Sequence, residues 1–141
     1  MLSYERQPGV VRALLLFGGL GMAVAPFLNW WVGFDLSTSE GLSGSGLGSA
    51  SGNLVLIAGA ATVLIALIPR FAPLGILTGL FGGAIGVLHL LAVMPWLTVI
   101  DFTGSGPDRG IVMALGGAAL TMSGGIVGLS VAAAAQAHAQ R

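Results

Sequence analysis

The chain has 141 residues, 55% of them hydrophobic and only 7% charged, with 24 glycines, no cysteine and a formal net charge of zero. A soluble domain averages about 25% charged residues, so this chain has too little polar surface to face water on all sides. The same counts exclude disulfides, thiol catalysis, cysteine metal sites and a basic surface for nucleic acid or a polybasic lipid cluster.

The length accommodates one domain, and the apolar residues fall in four blocks near the ~20 residues that cross a bilayer as helix. The first predicted helix covers about 9–32. Arg6 and Arg12 precede its apolar run, and Ala23-Val24-Ala25 imitates a signal-peptide cleavage site. Pro26 follows directly, a poor position for cleavage, so the segment reads as a retained helix. Pro8-Gly9 punctuate its start and Trp30-Trp31 mark its far interface. An outer loop over about 33–51 carries Asp35, Glu40 and a Gly/Ser run that reads as a flexible linker over the bundle mouth. Helix two covers about 52–68 and stops before Pro69. The turn Pro69-Arg70-Phe71-Ala72-Pro73 ends one helix and starts the next, because proline lacks a donor and restricts its predecessor. Helix three covers about 73–96, a second outer loop 97–107, and helix four 108–135, with Asp108 suited to a helix N-terminus.

The expected fold class is therefore all-α: an integral membrane four-helix bundle. With four crossings, Arg6, Arg12, Arg70 and Arg141 fall on one side and Arg109 on the other, which places both termini in the cytoplasm of a plasma-membrane protein. Asp35, Glu40, Asp101 and Asp108 segregate to the outer side. The two helical hairpins also look alike. Pro26-Phe-Leu-Asn aligns with Pro95-Trp-Leu-Thr, Phe34-Asp35-Leu36-Ser37 with Ile100-Asp101-Phe102-Thr103, and residues 54–61 with 111–118. Such a duplication would relate the halves by an axis along the membrane normal.

An apolar helix ending in Pro26 and the Trp30-Trp31 pair, an outer Gly33-Phe34-Asp35-Leu36-Ser37 segment, then a Gly/Ala-rich helix resembles the small tetraspan membrane proteins common in actinobacteria. That resemblance implies a membrane bundle and carries no assigned chemistry. The outer Trp-containing loop is also similar to the claudin-like four-helix architecture, although the loop cysteines of the claudin signature are missing.

Residues four apart share a helix face, so small residues at that spacing form a strip for close helix approach. Helix three carries Gly75, Gly79 and Gly83 beside Gly82 and Gly86. Helix four carries Gly117, Thr121 and Gly125 beside Gly124 and Gly128. These strips serve packing inside the bundle, or else self-association or docking on larger membrane subunits.

His89 is the only ionisable side chain deep in a predicted span, displaced toward the outer face. A buried imidazole can relay protons or ligate a metal, but no second histidine lies within a span and haem or zinc needs several ligands. The simpler reading is a hydrogen bond to a neighbouring helix. The outer carboxylates lack calcium-loop spacing, so no cofactor or metal is expected. Nothing in the sequence fills nucleophile, base or oxyanion roles, which argues against an enzyme. What remains is a non-catalytic accessory or structural subunit of a larger envelope complex (respiratory, transport or envelope-synthesis), with Trp30, Trp31, Asp35, Glu40, Trp96 and Asp101 as its outer partner surface. Two alternatives stay open. One is a small carrier or channel lined by His89, Thr62, Thr78, Thr121 and Ser123. The other is a lipid- or quinone-binding protein that uses His89.

Overall fold

The computed structural model describes residues 7–35, 40–47, 49–99 and 106–139. Four helices, α1 (Gln7–Val24), α2 (Ala50–Leu67), α3 (Leu74–Val99) and α4 (Arg109–Ala139), alternate with three strands, β1 (Asn29–Asp35), β2 (Glu40–Ser45) and β3 (Gly106–Pro107). Each helix contributes one apolar stretch of membrane-crossing length: Gly9–Phe27, Ala50–Leu67, Arg70–Ala92 and Arg109–Ala137. The shortest has 18 residues, or about 27 Å at 1.5 Å per residue, close to the ~30 Å hydrocarbon core. The protein is a multi-pass, mostly helical membrane protein.

The first correction concerns α1, which stops at Val24 rather than continuing to about residue 32. Ala25–Phe27 forms a 3-10 turn containing Pro26, and Leu28 is extended at φ −94°, ψ 164°. Proline removes a donor and its ring clashes with the preceding turn, so the chain leaves the helix there. The aromatic and β-branched run that follows, Trp30-Trp31-Val32 with Phe34, suits a pleated surface, and it becomes β1. A small antiparallel sheet of order β2-β1-β3 therefore lies where a flexible linker was expected, on a chain that is otherwise mostly helical, as expected. The α2 helix begins two residues before the expected Gly52, at Ala50. Ser49 caps it, its Oγ accepting from the Gly52 amide at 3.0 Å and donating to the Gly46 carbonyl at 2.7 Å. The last two helices run longer than expected, α3 to Val99 and α4 to Ala139. Pro95 thus lies inside α3 while its aligned counterpart Pro26 breaks α1, so the two hairpins differ at this position.

Packing makes a square. The α1 helix lies against α2 and α4, and α3 closes the square against the same two neighbours. Each adjacent pair is antiparallel: Gly75 meets Gly125 while Gly86 meets Leu115, and Val11 lies near Gly128 while Met22 meets Gly117. Close approach depends on missing Cβ atoms. A Cβ at Gly79 would lie 2.6 Å from Met122 Cγ and 2.9 Å from the Ala118 carbonyl oxygen, and one at Gly117 would lie 2.7 Å from the Gly18 carbonyl oxygen.

Both glycine strips of α3 turn into the bundle, one against α4 and the other through Gly82 onto Met22 and Ala58 and through Gly86 onto Leu115. On α4, Gly124 packs on Leu14 and Leu15 of α1, and Gly128 faces Ala72 and Val11. What faces outward is bulky instead: Phe17 is 70% exposed, Leu64 64% and Leu88 63%. In lipid these side chains carry no burial penalty, and association rests on shape and hydrogen bonds.

The buried residues form two clusters. One, under the sheet, contains Met22, Ala25, Trp30, Val55, Ile111, Ala114 and Ala118. The other, at the opposite end, contains Val11, Leu15, Ala66 and Ala72.

Candidate functional site

The sheet end is assembled around Trp30. Within the 3-10 turn after α1 the Ala25 carbonyl accepts from the Leu28 amide at 3.1 Å, and the Trp30 indole N–H donates to it as well at 2.8 Å. That bond turns the side chain inward, and Trp30 is only 1% exposed. Glycines make room on two sides. A Cβ at Gly46 would fall 2.5 Å from the indole Nε1, and Gly110, in the first turn of α4, is equally tight against the same ring. Main-chain bonds lock the frame: the Leu47 amide donates to the Pro26 carbonyl at 2.7 Å, and the Asp108 amide to the Trp30 carbonyl at 3.1 Å. Trp30 is thus a plug fastening β1 to the bundle. Its assignment to an outer, partner-facing belt is corrected, because a side chain with its polar N–H satisfied internally has no need of the interface.

His89 approaches the same plug from α3. The imidazole meets the Trp30 indole edge-on, with ring centroids 4.8 Å apart and planes at 87°. This is the T-shaped arrangement that ring quadrupoles favour. The His89 ring is half-buried, yet its Nε2 is enclosed and has no hydrogen-bond partner among the described residues. A buried polar atom of this kind costs free energy unless something satisfies it. The Trp30 N–H, already donated to Ala25, does not serve. The hydrogen bond to a neighbouring helix expected of His89 is therefore not seen at Nε2, and an aromatic contact takes its place.

Several hydroxyls of the spans are hydrogen-bonded within the bundle. The Thr62 hydroxyl donates to the Ala58 carbonyl at 2.9 Å and lies 2.8 Å from the Thr78 hydroxyl, joining α2 to α3. Thr121 donates to Gly117 at 2.9 Å from a fully buried position between α1 and α4. Ser123 is exposed and donates to Ala119. Thr62 and Thr78 thus sit between α2 and α3, Thr121 between α1 and α4, and Ser123 on the outside of α4. Among the described residues, no group of three or more His, Asp or Glu side chains could hold a metal ion.

Asp35, Glu40 and the backbone of Trp31 lie on paired strands of the sheet. Trp96 lies on α3, and Asp101 lies outside the described residues. Sequence reasoning missed the Trp30 plug and its glycine partners. The available signal was Pro26 ahead of the aromatic run; Gly46 is one of several glycines in the Gly/Ser run, and nothing local singles out Gly110. Comparison with protein-family models, with curated proteins and with solved structures finds no match.

Proposed function

We propose that the protein is a non-catalytic accessory or structural subunit of a larger membrane assembly in the bacterial plasma membrane, one serving respiration, transport or envelope synthesis. The observation that carries this reading is the sheet. A bundle of four antiparallel helices closes without it, yet the chain commits β1, β2 and β3 to a platform held rigidly on one end by Trp30. A preorganised surface binds a partner with little ordering cost. Asp35 and Glu40 are paired across β1 and β2 of that platform, and Trp31 lies on β1. The inward-turned glycine strips leave the platform as the surface for a partner protein and the bulky outer faces of the helices to lipid. The arginine distribution supports a platform outside the cytoplasm with both termini inside. The kinship with small actinobacterial tetraspan proteins, the claudin-like layout and the duplication of the hairpins belong to the same proposal and rest on sequence likeness.

Extraction in mild detergent followed by sizing and mass spectrometry tests this reading. Migration with larger membrane subunits is expected. A homogeneous small particle that conducts or exchanges a solute would sink it in favour of a carrier.

A second reading rests on the enclosed Nε2 of His89: a lipid- or quinone-like molecule hydrogen-bonded there beside Trp30. Under the subunit reading His89→Ala is mild in stability and in assembly. Loss of a cellular function with assembly intact would favour the ligand instead.

A further inference from the structure

The end of the bundle away from the sheet holds a cavity that the function above does not use. It measures about 130 Å³ and is lined by Val11, Arg12 and Leu15 of α1, Ala66 of α2, Ala72 of the turn into α3 and Gly128 of α4. The space exists because the three inner positions are small. Ala66 and Ala72 are 2% and 3% exposed, and a Cβ at Gly128 would already lie 2.8 Å from the Ala72 Cβ. An apolar cavity of about 150 Å³ takes up a benzene-sized body in preference to water, so this one accepts a short length of hydrocarbon.

Arg12 sets the chemistry at the rim. It is exposed and begins only five residues after Gln7, where α1 starts, about 7.5 Å along the helix axis. A long arginine stem from that depth places its guanidinium at headgroup level. Asp35, Glu40 and Asp108, the carboxylates among the described residues, all belong to the sheet end, so none of them reaches it. A guanidinium presents a fork of donors matched to a phosphate.

We infer that this cavity is a site for an anionic phospholipid of the surrounding bilayer, with acyl chain between α1, α2 and α4 and phosphate on Arg12. An apolar slot with a cation at the height of the lipid phosphates selects by headgroup charge as well as by chain. Arg70, in the adjacent turn, stacks on Phe71 at 4.7 Å and does not line the cavity, so it supplies an internal control.

The test uses the intact protein in vesicles of equal phosphatidylglycerol and phosphatidylcholine, with native mass spectrometry of the lipids retained on extraction. A preference for phosphatidylglycerol is expected. Arg12→Gln should lower that preference about fivefold, the worth of one arginine near a charged bilayer surface. Ala66→Phe, which fills the cavity, should abolish retention, while Arg70→Gln should leave it intact. Equal retention of the two lipids would overturn the site. So would an Arg70→Gln effect as large as that of Arg12→Gln, since the attraction would then be diffuse. Arg12→Gln alters an exposed side chain, so its result stands even where Ala66→Phe fails to fold.

Discussion

The two ends of this bundle solve the same problem differently. At the sheet end α1 breaks early, and the chain folds three strands back over the opening and drives Trp30 into the gap between glycines. At the other end a six-residue connection from Ile68 to Pro73 joins α2 to α3 directly. Alanines and a glycine leave a cavity there, with Arg12 at its rim. A large rigid ring closes one end and small residues leave the other open. Side-chain volume at a few positions, more than helix number, sets how each end of this bundle closes.

The comparison breaks most visibly if the plug is removed. Trp30→Ala deletes a fully buried indole and its bond to Ala25, and should cost about 3–5 kcal/mol, read as a fall in thermal midpoint in detergent. Trp30→Phe keeps most of the ring and should lose nearer 1 kcal/mol, the net worth of the hydrogen bond. An unshifted melting curve for Trp30→Ala would mean that the sheet is not fastened through this residue.

Gly79→Leu should come next, at about 1–3 kcal/mol or more from overpacking against α4, and joining it with Gly83→Leu should deepen the loss. Gly116 sharpens this prediction because nothing lies within 4 Å of its Cβ position. Gly116→Leu should be neutral or slightly stabilising, since leucine is the better helix former. If both glycines tolerate leucine equally, close approach is not what holds α3 to α4. The smallest effect belongs to Thr62→Val, which removes the link to Thr78; an interhelical bond of this type is worth about 0.6 kcal/mol.

The four spans were legible in the sequence because hydropathy reports them directly, whatever the helices pack against. The end of α1 was not, because Trp30-Trp31-Val32 is as apolar as a helix end in lipid should be, and hydropathy does not distinguish helix from strand. Pro26 holds the missing signal, because a proline there ends a helix as readily as it blocks cleavage. The burial of Trp30 depends on Gly46 and Gly110, which are distant in sequence from it and from each other, so no local pattern could announce it. His89 was visible as an ionisable group in a span, but its aromatic neighbour follows from the strand that was not foreseen. The cavity at Arg12 draws on three helices and a turn, and glycine spacing reveals a shared face without revealing which neighbour that face will meet.

On the proposed reading, the platform over Trp30 meets a partner protein while the rest of the bundle meets lipid. Photo-crosslinking in intact membranes tests it most directly, with a photoreactive residue placed in turn at Trp31, Asp35, Glu40 and the lipid-facing Leu88. One and the same larger membrane subunit should be captured from the three sheet positions, and Leu88 should capture lipid. Capture of lipid alone from all four positions, or of the same protein from Leu88 as from the sheet, would contradict it.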